Sequence, residues 1–169
     1  MSHDKEKDKW FVQTVHQFEV RLVRYANRFV ALHEARDVVQ ECFLKAWTER
    51  FPNLVGREAA WLFTVTRNLC LDAKKRDRRR DSELNVHEEI EAQQESSLEK
   101  MEKQEAENQI LQKLKKLSDS QQEVMRLKFQ EGFSYKQISE ITGHSVSYVG
   151  VLIHEGMTIL RGEIHGGRQ

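Results

Sequence analysis

The sequence predicts an all-α protein of two small helical domains joined by a flexible acidic linker. Three observations carry that expectation. Apolar residues recur at spacings of three and four along most of the chain, and strict alternation is rare. A single proline, Pro52, and few glycines leave long helices permitted almost everywhere. Charge is segregated although the net charge is zero: residues 67–80 hold seven basic and two acidic side chains, residues 81–108 ten acidic and two basic. A basic block directly followed by an acidic one points to separate partners rather than one neutral surface.

The first domain is expected over residues 9–80, as three or four helices. Phe11, Val15, Phe18, Leu22, Tyr25, Ala26 and Phe29 form the stripe of an amphipathic helix, which His33–Arg36 is expected to interrupt. A second helix over Asp37–Trp47 sets Val38, Val39, Cys42, Phe43, Ala46 and Trp47 on an apolar face. Asp37, Gln40, Glu41 and Lys45 take the other face. Phe51–Gly56 reads as a loop, with Pro52 and Gly56 as breakers. A third helix starts near Arg57 or Glu58, offers Trp61, Leu62, Val65, Leu69 and Ala73 to a core, and ends in the basic run Lys74–Arg80.

Residues 81–100 are rich in Glu, Gln and Ser and cannot bury enough apolar surface to fold alone, so they are expected to be the linker. The second domain is expected over residues 101–161. Its first helix runs from about Glu102 to Leu117, with Ile110, Leu111, Leu114 and Leu117 as the apolar seam. Ser118–Gln121 and Ser134–Gln137 fit capping boxes, in which a serine hydroxyl and a glutamine amide satisfy free backbone groups. They open a helix carrying Val124, Met125, Leu127 and Phe129, and a short one with Ile138 and Ile141 inside. Gly143 ends the short helix in a left-handed conformation. Ser145 caps a final helix whose inner positions are Val149, Leu152, Ile153, Ile159 and Leu160.

A short capped helix, a glycine turn and a longer helix with apolar anchors are the signs of a helix-turn-helix. Ser145, Val146, Ser147, Tyr148 and His154 would then face DNA, since short polar side chains near a helix N-terminus reach base edges and phosphates. Other classes find little support. The seven histidines are scattered, without metal-ligand spacing, so neither a metal nor another cofactor is expected. No phosphate loop or nucleophile elbow is present, and Asp37 and Glu41 lack a third acidic partner for a nuclease. Cys42 and Cys70 sit among apolar neighbours and read as buried free thiols. The charged start, with no apolar run, gives no secretory signal or membrane span and implies a cytoplasmic protein that does not insert into membranes.

Three stretches bring a resemblance. Asp37-Val-Val-Gln-Glu-Cys-Phe-Leu-Lys-Ala-Trp47 is similar to the D-x-V-Q-E-x-F-L-x-x-W stretch of bacterial sigma factors of the extracytoplasmic-function group. Ala60-Trp-Leu-Phe-Thr-Val-Thr-Arg-Asn-Leu-Cys-Leu-Asp-Ala-Lys-Lys-Arg76 resembles that group's W-L-x-x-I-x-R-N-x-x-x-D-x-x-R segment. Leu117–Phe129 followed by Glu131–Gly143 resembles its C-terminal module. The three occur in the family's order and spacing and together span most of the chain.

The resemblance implies a non-enzymatic specificity subunit, with sigma region 2 over 9–80 and sigma region 4 over 101–161. It would bind core RNA polymerase at its clamp helices and flap, recognise promoter DNA, and be held by a dedicated anti-sigma factor. The polymerase would dock on Asp37, Gln40 and Glu41, with Leu44 and Lys45 beside them. The promoter −10 element would meet Asn53, Arg57, Trp61, Arg67, Asn68, Asp72, Lys75, Arg76 and Arg79. Within that set Asn68 and the loop Asn53–Arg57 are candidates for a base pocket, and Trp61 is either core or a stacking platform. The −35 element would meet Lys136, Ser145, Val146, Ser147, Tyr148, Val151 and His154. The linker is either a spacer or a segment threading the polymerase interior. One departure stands out: Gly150 and Leu152 occupy places where a lysine and an arginine are usual, which predicts two missing phosphate contacts and weak independent −35 binding. The competing readings are a dimeric stand-alone helix-turn-helix regulator and a nuclease or transposition accessory enzyme.

Overall fold

The first helix begins at Ser2, well ahead of its apolar stripe. Lysine and glutamate are good helix formers, and a helix nucleated on the stripe extends through them at little cost. In the computed structural model, which describes residues 2–49, 51–83 and 114–166, seven helices are seen among those residues and no strand. They are α1 (Ser2–Ala26), α2 (Leu32–Thr48), α3 (Phe51–Leu54), α4 (Glu58–Glu83), α5 (Asp119–Phe129), α6 (Tyr135–Thr142) and α7 (Val146–Gly166). The chain divides into two units, residues 1–87 and 88–169. Most of the expected linker 81–100, and the expected helix Glu102–Leu117 up to residue 113, lie outside the described residues.

In the first unit α1, α2 and α4 pack on one another pairwise. Phe18, Leu22, Tyr25 and Ala26 of α1 meet Ala35, Val38, Val39, Cys42, Phe43 and Ala46 of α2, and Leu62, Phe63, Cys70 and Ala73 of α4. Tyr25 is the aromatic hinge of this core, its ring 5.0 Å from that of Phe63 and 5.3 Å from that of Phe29.

Four local expectations change. The break between the first two helices falls at residues 27–31, not at His33–Arg36. Helix α2 starts at Leu32 because the Glu34 carboxylate accepts the Ala31 N–H at 3.3 Å, and Ala35 can then be buried. Residues 51–54, expected as loop, form one helical turn. Proline is tolerated in a first turn, where its missing N–H has no partner to lose, and buried Leu54 anchors the turn. The core face of α4 is rotated from the expected one: Leu62, Phe63, Thr66, Cys70 and Ala73 are buried, while Trp61, Val65 and Leu69 are half-buried. Trp47, expected on the apolar face of α2, is 38% exposed and lies edge-on against Phe11 at 4.9 Å.

In the second unit α5 and α6 pack on α7 and on each other. Both capping boxes close: Ser118 Oγ accepts the Gln121 N–H at 3.3 Å and Gln121 Oε1 accepts the Ser118 N–H at 3.1 Å. The Ser134–Gln137 pair does the same at 3.2 and 2.9 Å. Gly143 takes φ +77°, as a left-handed helix end requires. The core is Leu117, Val124, Met125, Leu127, Phe133, Ile138, Ile141, Val149, Leu152 and Ile153.

Two expected core residues are outside it, and two more, Leu114 and Leu160, are only half-buried. Phe129 ends α5 and is 61% exposed, because Phe133 takes the inner position as its N–H returns to the Leu127 carbonyl at 3.0 Å. Ile159 is 36% exposed. Gly156 is buried instead, and a Cβ there would stand 3.2 Å from Met125 Cγ. Helices α5 and α7 therefore approach closely at a residue with no side chain.

Candidate nucleic-acid and polymerase interfaces

Burial of Val38, Val39, Cys42, Phe43 and Ala46 fixes which side of α2 faces outward. Asp37, Gln40, Glu41, Leu44 and Lys45 are all exposed there, at the spacing of one helical stripe. Glu41 and Lys45 form an i,i+4 ion pair at 3.7 Å. Leu44 is 66% exposed, so the stripe combines two carboxylates and an amide with one large apolar side chain. Among the described residues, these five sit together without contributing to the unit's core.

On α4 the buried arc sets the exposed one in the same way. At about 100° per residue, Trp61, Asn68, Asp72, Lys75, Arg76 and Arg79 share an arc opposite Leu62, Phe63, Thr66 and Cys70. Asn68, Asp72, Lys75, Arg76 and Arg79 are exposed, and Trp61 is half-buried. From Asn68 to Arg79 this stripe runs about 16 Å, the rise of roughly five nucleotides on one duplex strand. Arg67 is not part of it; it is half-buried and projects from the flank of the helix. Asn53 and Arg57 are exposed on the segment that leads into α4.

That leading segment holds the feature least visible in the sequence. Glu58, the first residue of α4, accepts the indole N–H of Trp10 and the Gly56 N–H, each at 2.9 Å and both on Oε1. Burial pushes its carboxyl upward, but the Trp10 indole and the Glu58 and Gly56 backbone groups outweigh this and hold it below the usual carboxylate range. Gly56 sits at φ +82°, so the turn needs a glycine there. Trp10 and Glu58 lie 48 positions apart, and no local sequence pattern links them.

In the second unit α6 and α7 form the expected helix-turn-helix. Ser139 Oγ donates to the His144 carbonyl at 2.6 Å, and Ser145 Oγ caps α7 by accepting the Tyr148 N–H at 3.1 Å. The His144 and Tyr148 rings meet edge to face at 5.1 Å. Lys136, Ser145, Val146, Ser147, Tyr148, Val151 and His154 are all exposed. Ser147, Val151, His154 and Thr158 make the outward stripe of α7, opposite Val149, Leu152, Ile153 and Gly156. Glu155 is held to α5 by Gln121, whose side-chain N–H donates to it at 3.0 Å.

The expectation of two lost phosphate contacts is corrected at one position. Leu152 is 3% exposed and belongs to the core, so no surface cation is missing there. Gly150 is half-buried. A Cβ at 150 would meet the Tyr135 ring at 3.6 Å, an ordinary contact, so the site accepts a Cβ.

Cys42 and Cys70 are buried free thiols. Burial pushes Cys42 up to about 11 and Cys70 up to about 12. The attacking species is the thiolate, so both should be inert at neutral pH. Iodoacetamide at pH 8 is expected to leave the native chain unlabelled and to add two labels in denaturant, as read by mass spectrometry. Rapid labelling of the native chain would contradict the packing described. Among the described residues no cluster of His, Cys, Asp and Glu could hold a metal ion, and no helix is long and apolar enough to cross a membrane.

Comparison with known proteins decides the family. Sigma-70 region 2 matches residues 14–80, and Sigma-70 region 4 matches residues 107–160. The ECF RNA polymerase sigma factor SigW of Bacillus subtilis is 28% identical over 165 residues, covering 91% of this chain and 88% of SigW. The chain belongs to the extracytoplasmic-function group of the sigma-70 family. A second ECF sigma factor, SigL of Mycobacterium tuberculosis, is 43% identical over 65 residues, 36% of each chain. Two solved structures share the fold of this family member. RpoE of Bartonella quintana, solved with the anti-sigma factor NepR, has a TM-score of 0.66 at 24% identity, covering 95% of this chain and 99% of that one. CnrH, solved with the cytosolic domain of CnrY, has a TM-score of 0.58 at 22% identity, covering 95% and 90%. Region 2 of this sigma factor contains the α2 and α4 stripes, and region 4 contains the helix-turn-helix.

Proposed function

We propose that the chain works in the cytoplasm as a promoter-specificity subunit that carries no catalytic centre of its own. It docks on core RNA polymerase through Asp37, Gln40, Glu41, Leu44 and Lys45, where carboxylates and an amide suit a partner surface bearing arginines. The domain over residues 9–80 engages the −10 element, the domain over 101–161 the −35 element, and residues 81–100 tether them. On α4 the cations Lys75, Arg76 and Arg79 follow phosphates. Asn68, with Asn53 and Arg57 on the preceding segment, receives an unstacked base, whose pairing edge an amide can read. Helix α7 enters the major groove with Ser147, Tyr148, Val151 and His154 outward, while Lys136, Ser145 and Val146 meet the backbone near its start. An anti-sigma protein is the expected inhibitor, covering these surfaces.

The observation that carries this reading is the α4 stripe. An amide and three cations lie in register on one exposed arc of a helix whose opposite arc is core. Neither packing nor helix propensity asks for that distribution. Run-off transcription with purified core polymerase tests it: promoter-dependent transcripts are expected only when the chain is added. Asn68→Ala is expected to lower promoter opening about tenfold, by analogy with losing one good base contact, while non-specific duplex binding stays near the parent level. Equal losses in both would assign Asn68 a structural role.

A further inference from the structure

Residues 5–10 of α1 are largely exposed, yet one of them is tied to the segment proposed to receive a base. Trp10 donates its indole N–H to Glu58 Oε1, and the same oxygen accepts the Gly56 N–H. The turn is closed on its other side by the Arg57 N–H, which donates to the Leu54 carbonyl at 2.9 Å. Trp10 is itself half-buried. Its neighbour Phe11 lies edge-on to Trp47 at 4.9 Å and to Phe43 at 6.3 Å, and the Lys7 ammonium sits 4.5 Å over the Trp47 ring. The N-terminal part of α1, the C-terminal part of α2 and the start of α4 therefore meet beside residues 53–57.

We infer that Trp10 and Glu58 are a positioning pair that holds the segment Asn53–Arg57 in its base-receiving conformation. The inference rests on the reading of that segment as a base pocket. Neither residue touches DNA in this scheme; both act through the turn. A three-residue turn around a left-handed glycine samples many conformations if nothing fixes it. A pocket ordered before the base arrives binds it without the entropic cost of ordering itself afterwards. One carboxylate oxygen shared by a turn N–H and a distant indole supplies that order. Because a carboxylate makes stronger hydrogen bonds than a neutral acceptor, the link is suited to a half-buried site near solvent.

Trp10→Phe keeps an aromatic ring at this position and removes the N–H donor. Glu58→Ala removes the acceptor. The measurement is affinity of the holoenzyme for two promoter fragments, one fully paired and one with the −10 element already unpaired. Each variant is expected to weaken binding of the unpaired fragment about fivefold to tenfold, with paired-fragment binding, core association and melting temperature within twofold or two degrees of the parent. The double variant should lose no more than Glu58→Ala alone, since that change already removes the acceptor of both bonds. Amide exchange at Gly56 should accelerate in the free Trp10→Phe protein, a readout independent of DNA.

Unchanged affinity for the unpaired fragment in both variants, or losses that add in the double variant, overturns the positioning role. Asn53→Ala and Arg57→Ala separate this failure from failure of the pocket itself. If they weaken unpaired-fragment binding while Trp10→Phe does not, only the positioning role falls. If they too bind it like the parent, the segment receives no base, and both assignments fall together.

Discussion

Replacing Asp37 and Glu41 together by lysine is expected to weaken association with core polymerase about a hundredfold or more. Hydrogen bonds to charged groups contribute roughly 1.5–3 kcal/mol each, and tenfold in affinity corresponds to about 1.4 kcal/mol. Two such contacts therefore account for two orders of magnitude before any repulsion between like charges. The fold should be indifferent to the change. Both side chains are exposed, and the Glu41–Lys45 pair lost with them is a surface ion pair of the kind that stabilises by well under about 1 kcal/mol. Titration of labelled core polymerase with the two proteins checks this, with circular dichroism as the control for folding. An unchanged dissociation constant would move the docking surface off α2.

Phe63→Ala should have the largest effect on stability, about 3–5 kcal/mol. Phe63 is fully buried between α1 and α4, stacked obliquely on Tyr25 and approached by the Arg21 guanidinium at 5.8 Å from the ring centre. A domain this small is stable by only about 5–15 kcal/mol, so much of its margin disappears. The three tryptophans, Trp10, Trp47 and Trp61, all lie in the first unit, so their fluorescence follows that unit alone. The urea midpoint seen by fluorescence should fall sharply, while amide exchange in α5–α7 stays as in the parent. A shift worth less than about 1 kcal/mol would mean that the core is arranged differently.

What the sequence disclosed depends on how far apart the interacting groups are. Both capping boxes, the Gly143 turn and the Ser145 cap were legible because each is a contact between a side chain and backbone within a few residues. The exposed stripe of α2 was legible for a similar reason, since Asp37, Gln40 and Glu41 repeat at helical spacing. The core register of α4 was misread where Leu62 and Phe63 adjoin Trp61. Three consecutive large apolar residues fit several helical faces, and only packing against Tyr25 and Cys42 selects Phe63 and Thr66 over Trp61 and Val65. Leu152 was judged by family position, which gives a residue's usual identity but not the direction in which it points. The Trp10–Glu58 bond was out of reach, because a tryptophan near a charged terminus and a glutamate at a helix start are each unremarkable alone.

The caps of the second unit bear on how quickly this protein can act. Ser118, Ser134 and Ser145 each start a helix using atoms three residues away, and the core they enclose is drawn from one short stretch of chain. Contacts so local in sequence correspond to folding in microseconds to milliseconds. A newly synthesised copy would have its helix-turn-helix formed almost as soon as that stretch leaves the ribosome. The interval between translation of this module and its readiness to meet DNA is then set by synthesis, not by the time the chain needs to find its shape.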